Sequence, residues 1–98
     1  MKNELEKILS KLRELLPYLV QKYQVKTIEV FGSYVREEQN VGSDLDILVT
    51  FNKTPSLLKY VELKNYLSDQ LHINVDLVMK ESLKPIISQN ILNESITL

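Results

Sequence analysis

Ninety-eight residues of 11.4 kDa suffice for one hydrophobic core and not for two, so the chain is read as a single domain, 1–98. At 44% hydrophobic residues it is too apolar to be disordered, and Lys+Arg 12 against Asp+Glu 13, a net charge of -1, provide no basic field for a nucleic-acid backbone or an anionic lipid surface. The absence of cysteine excludes disulfides, thiol nucleophiles and Cys-ligated zinc, while the charged opening Met1-Lys2-Asn3-Glu4 and an apolar run Leu15 to Val20 broken by Pro17 exclude a signal peptide and a membrane span. A cytoplasmic protein is expected.

Leu5, Ile8, Leu9, Leu12, Leu15, Leu16 and Leu19 recur at helical spacing with Glu6, Lys7, Lys11, Arg13 and Glu14 between them, which predicts an amphipathic helix ending before Tyr23. Asn3 is its expected N-cap, and Pro17, lacking an amide donor, is expected to kink or restart it. The β-branched run Lys26 to Phe31 predicts a strand that breaks at Gly32-Ser33, followed by a short helical turn and a polar loop through Gly42. From Asp44 to Phe51 the sequence alternates, Leu45, Ile47, Val49 and Phe51 on one face and Asp44, Asp46, Leu48 and Thr50 on the other, as a second strand would. Thr54-Pro55-Ser56 then supplies a cap and a first-turn proline for a helix carrying Leu57, Leu58, Val61, Leu67 and Leu71. A third strand, Ile73 to Met79, follows, with Asp76 opposite its apolar residues. Ser82 is expected to cap a last helix containing Pro85, Ile86, Ile87, Ile91 and Leu92, and residues 95–98 are expected to add a short edge strand. The element order predicts an α+β (mixed α/β) domain, a small mixed sheet of three or four strands with helices packed mainly on one face.

Asp44 and Asp46, two residues apart on one strand, root their carboxylates about 6 to 7 Å apart on one face, within reach of a pair of divalent ions about 3.5 to 4 Å apart. Oxygen ligands without His or Cys suit Mg²⁺, and Mg²⁺ with clustered carboxylates points to phosphoryl or nucleotidyl transfer. Aspartates on strands also occur as plain surface residues, although Asp is depleted in strands. A strand ending in Gly32-Ser33 adds free backbone N–H groups and a hydroxyl able to hold phosphate oxygens, and Arg36 follows where it can reach the same anion. Taken singly, Gly32 is a turn glycine, Ser33 a cap and Arg36 a surface charge; together with the aspartates they read as a site. His72 and the pair Tyr60 and Tyr66 read as a surface residue and as packing.

As one string, Gly32-Ser33, ten residues, then Asp44-Leu45-Asp46, preceded by Val30-Phe31, with Ser43 before the first aspartate and Val75-Asp76-Leu77-Val78 later, resembles the signature of the polymerase β-like nucleotidyltransferase superfamily. The size is similar to its minimal nucleotidyltransferase members, antitoxins paired with HEPN-domain ribonuclease toxins. The resemblance implies the nucleotidyltransferase fold. It implies that Gly32 and Ser33 bind the triphosphate of ATP, with Arg36 and Ser43 assisting, and that Asp44, Asp46 and Asp76 hold two Mg²⁺ ions, Asp76 also helping to deprotonate the attacking hydroxyl. Little chain remains for an acceptor pocket, so the expected acceptor comes from another subunit: a tyrosine hydroxyl of the toxin, modified with AMP. Two other readings stand beside it, an antitoxin that masks the toxin with little or no turnover, and the nucleotide-binding subunit of a two-component small-molecule transferase.

Overall fold

The computed structural model describes residues 4–32, 34–35, 44–80 and 95–98. The long first helix, α1 (Glu4–Tyr23), buries Ile8, Leu9, Leu12, Leu15, Leu19 and Tyr23 along one stripe. Glu4 and Glu6 in its first turn and Lys22 in its last oppose the helix dipole in the favourable sense. It runs through Pro17 as one element, contrary to the expected restart. Burial on both sides of the proline, Leu12 and Leu15 before it and Leu19 and Tyr23 after it, offsets the roughly 3 kcal/mol that an interior proline costs. Gln24 then turns the chain with a φ of 61°, and its carbonyl accepts from the Asn52 amide at 2.8 Å.

Three strands, β1 (Val25–Phe31), β2 (Leu45–Phe51) and β3 (Val75–Met79), and the two-residue β4 (Ile96–Thr97) form one sheet in the order β3-β2-β1-β4. β1 pairs antiparallel with β2 and with β4, and β2 pairs parallel with β3, so the sheet is mixed, with the four strands that the 95–98 assignment anticipated. The register aligns Val30, Ile47 and Leu77 in one row and Ile28, Val49 and Met79 in the next. These rows, apart from the half-buried Met79, belong to the buried cluster together with Leu12 and Leu19 from α1 and Leu63 and Leu67 from the second helix.

That second helix, α2 (Leu57–Leu71), joins β2 to β3, as a parallel pair requires. Its N-cap is Ser56, whose Oγ accepts from the Lys59 amide at 3.2 Å, and not Thr54 with Pro55 in the first turn: Ser56 has the extended backbone, ψ 163°, that aims a cap hydroxyl at the third amide. Leu63, Leu67 and Leu71 are buried, whereas Leu57, Leu58 and Val61 are exposed. The buried face is narrower than the spread of apolar residues predicts. At about 100° per residue Leu58 lies opposite the Leu63–Leu67–Leu71 stripe and Val61 about 120° from its centre. Tyr60 continues the buried stripe, and its hydroxyl donates to the Leu77 carbonyl of β3. Tyr66 packs with Tyr18 at a centroid distance of 5.2 Å, so both tyrosines are packing residues. His72 closes the helix with a left-handed φ of 57° and is exposed, as a surface residue. The Asn3 cap, the loop from residue 36 to Gly42 and the Ser82-capped helix lie outside the described residues.

Candidate active site

The site is built on the face of the sheet opposite the rows of Ile47 and Val49. Strand alternation sends Asp44 and Asp46 to one side of β2. The parallel register makes Asp46 the partner of Asp76 on β3, and the antiparallel register makes it the partner of Phe31 on β1. Backbones of hydrogen-bonded strands lie about 4.8 Å apart, so three acids from two separate stretches of chain arrive on one patch at one end of the sheet. Two bonds lock this end: the Leu45 amide donates to the Asn74 carbonyl at 2.8 Å, and the Val75 amide donates to Ser68 Oγ of α2 at 3.0 Å. Asp44 and Asp76 are exposed and Asp46 is half-buried.

Gly32 stands at the end of β1 with a φ of +83°, a conformation that disfavours a side chain. A Cβ on it would come within 2.1 Å of Asp46 Oδ2, so the carboxylate rests directly against the glycine backbone. Both the twist of the chain and the close approach demand glycine. The Gly32 carbonyl then accepts from the Val35 amide at 3.1 Å, closing a turn in which Tyr34 is buried. Burial, and next the charges of Glu4 and Asp44, push the Tyr34 hydroxyl above the usual tyrosine range, so it stays a neutral plug beneath the turn. The sequence offered no periodic signal for Tyr34, which stands alone between a glycine-serine turn and a polar loop. Ser33, Arg36 and Ser43 lie outside the described residues.

Asp44, Asn74 and Asp76 form one wall of an open cleft of about 700 Å³, and Lys64, Asn65 and Asp69 of α2 form the other. These α2 residues carried no motif and were not singled out in the sequence. A hard divalent cation is the group this donor set suits, since the neighbouring donors on the paired strands, Asp46 and Asp76, are carboxylates. Among the described residues, no three Asp, Glu or His side chains yet converge as ready ligands. The backbone brings the acids together.

The profile of the nucleotidyltransferase domain matches residues 12–98, which contain the glycine turn and all three aspartates. The chain belongs to the nucleotidyltransferase family. This nucleotidyltransferase is 50% identical over 90 residues, 92% of its length and 91% of the other's, to a protein adenylyltransferase, MntA, of Thermococcus cleftensis. It superimposes on a solved minimal nucleotidyltransferase with a TM-score of 0.80 and 35% identity, covering 96% of this chain and 95% of that one. It also resembles, at a TM-score of 0.60 and 26% identity over 96% of this chain and 67% of the other, a structure of the tri-AMPylated Shewanella oneidensis HEPN toxin in complex with MNT antitoxin. No helix among the described residues is long and apolar enough to cross a membrane.

Proposed function

We propose that this nucleotidyltransferase is an antitoxin that transfers AMP from ATP to a tyrosine hydroxyl of a HEPN-domain ribonuclease toxin. The observation that carries the reading is the pairing of Asp46 with Asp76 across β2 and β3, with Gly32 pressed against the Asp46 carboxylate. Support for the acceptor comes from the names of the similar proteins, a protein adenylyltransferase and an antitoxin complexed with an AMP-bearing HEPN toxin.

In this reading the turn at Gly32 and Ser33, with Arg36 and Ser43, takes the phosphate tail, because backbone amides without an intervening Cβ approach an anion closely. Asp44, Asp46 and Asp76 would hold the magnesium, which when bound supplies Lewis-acid neutralisation of charge on the phosphates. Asp76, exposed beside the cleft, accepts the proton of the attacking hydroxyl. The hydroxyl oxygen forms a bond to the α-phosphorus, the bond from that phosphorus to the bridging oxygen breaks, and pyrophosphate leaves. The products are the AMP ester of the tyrosine, pyrophosphate and one proton.

The test is incubation of the protein with ATP labelled at the α-phosphate, Mg²⁺ and the toxin, beside an Asp46→Asn variant. Label on a toxin tyrosine that disappears with the variant supports the reading. Full neutralisation of the toxin by the unlabelling variant shows masking instead, and label on a small hydroxyl compound alone shows the two-component transferase.

A further inference from the structure

We propose that the cleft between α2 and the starts of β2 and β3 is the acceptor subsite, and that Lys64 and Asn65 position the acceptor segment in it. The inference rests on the transfer reading above and adds where the second substrate enters. In strand order the patch runs from Gly32 at the end of β1, through Asp46 on β2 and Asp76 on β3, to the cleft beneath α2. Displacement at phosphorus proceeds in line, with the attacking and leaving oxygens on opposite sides. A phosphate tail held against Gly32 therefore places the attacking hydroxyl on the β3 side, where Asp76 lines the cleft and takes its proton. The new bond joins that hydroxyl oxygen to the α-phosphorus as the bond to pyrophosphate breaks.

The cleft has the properties such a subsite needs. Its volume of about 700 Å³ lies inside the range of about 300–1,000 Å³ found for ligand sites, well beyond what one phenol ring fills. Its width is fixed, because the Ser68–Val75 hydrogen bond and the Tyr60–Leu77 hydrogen bond fasten α2 to β3. Its polar groups are available: among the described residues Lys64 has no ion-pair partner, and the side chains of Asn65 and Asn74 make no hydrogen bond. Among the described residues of the lining, Asp44, Asp69 and Asp76 outnumber Lys64, a balance that repels a polyanion such as an RNA end. It accommodates a polar polypeptide segment of neutral or positive charge, with its hydroxyl at the Asp76 end.

Asn65→Trp fills the cleft from an exposed position, and Lys64→Glu inverts the one positive charge among the described residues of its lining. With the toxin as acceptor, Asn65→Trp is expected to raise its KM about tenfold or more and Lys64→Glu by a smaller factor, while the ATP dissociation constant measured by calorimetry with Mg²⁺ stays within about twofold. An equal loss of ATP affinity assigns the cleft to the nucleotide and overturns the inference, as does an unchanged KM. The chain has no cysteine, so Asn65→Cys carries a single photo-crosslinker, expected to react with the toxin at the segment bearing the modified tyrosine. Cross-linking elsewhere, or none, overturns the inference even where catalysis is normal. If the unsubstituted protein binds ATP but never labels the toxin, the transfer reading fails and the acceptor subsite falls with it, whereas labelling with unchanged KM in both variants overturns the subsite alone.

Discussion

The two faces of the sheet are made from alternate residues of the same strands, yet they solve opposite problems. On one face Val30, Ile47, Leu77, Ile28 and Val49 meet α1 and α2 with almost no exposed surface. On the other, Leu48 and Glu29 are buried near the middle of the sheet, the Glu29 carboxylate taking Lys80 Nζ at 3.4 Å and Ser95 Oγ at 3.2 Å. Toward the Gly32 end that face gives way to Asp46 and Asp76, and the open cleft lies beyond them, between α2 and the starts of β2 and β3. One face packs its side chains for cohesion and the other carries carboxylates, from buried Glu29 through half-buried Asp46 to exposed Asp76, so stability and chemistry are separable by parity along a strand.

Asp46→Asn probes that separation most sharply. It is nearly isosteric, and it removes a charge from the open face without touching the packed one. Transfer to the toxin is expected to fall about a thousandfold, comparable to losing a principal electrostatic group of an active site, with the thermal midpoint within a few degrees. Parallel activity assays and circular dichroism melts decide it. Leu19→Ala works on the opposite face: a fully buried leucine between helix and sheet, its loss should cost about 2–5 kcal/mol in urea unfolding and leave kcat per folded molecule unchanged.

Gly32→Ala is the exception that joins the two faces' problems. The added methyl group would sit 2.1 Å from Asp46 Oδ2, and the residue has a φ of +83°, so both the carboxylate and the turn must move. Misplacing a reactive group by about 1 Å costs about a hundredfold in rate, and forcing a side chain into this backbone region adds a destabilisation of about 1 kcal/mol or more. Loss of both in one variant distinguishes this glycine from an ordinary turn residue.

The legibility of the molecule follows the same parity. Period-two alternation from Leu45 to Phe51 named the strand and put Asp44 and Asp46 on its polar side, because that signal is local. The pairing of Asp46 with Asp76 is not local: it depends on a parallel register reached only after α2 returns the chain, and a shift of one residue would have sent Asp76 to the core. The resemblance of the Gly32-Ser33 and Asp44-Leu45-Asp46 string supplied what alternation could not. The cap falls at Ser56 rather than Thr54 because of a local backbone angle, whereas the exposure of Leu57, Leu58 and Val61 has a non-local cause. Apolar residues reveal that a helix is amphipathic, but the helical phase of its buried stripe is set by the sheet it meets. Lys64 and Asn65 were invisible because exposed polar residues on a helix have no signature until a cleft forms beside them.

The smallest effect expected is also the one that tests how α2 and β3 are joined. Tyr60 reaches across the end of its stripe to donate to the Leu77 carbonyl of an edge strand, a contact that both satisfies that carbonyl and blunts the edge against foreign strands. Burial first, and the negative charge of Asp76 second, raise the Tyr60 hydroxyl above the ordinary tyrosine range, near 10. A folded-state pKa raised above the unfolded one means that this residue's contribution is complete below about pH 10 and is lost as pH rises through the folded value, because the unfolded chain releases the proton first. Tyr60→Phe should therefore cost about 1 kcal/mol in urea unfolding at pH 7, and the cost should shrink over the alkaline interval above about pH 10 as the unsubstituted protein loses its own advantage. A difference between the two proteins that stays constant across that interval would mean that the ring alone, and not the hydroxyl, holds the helix to the strand beside Asp76.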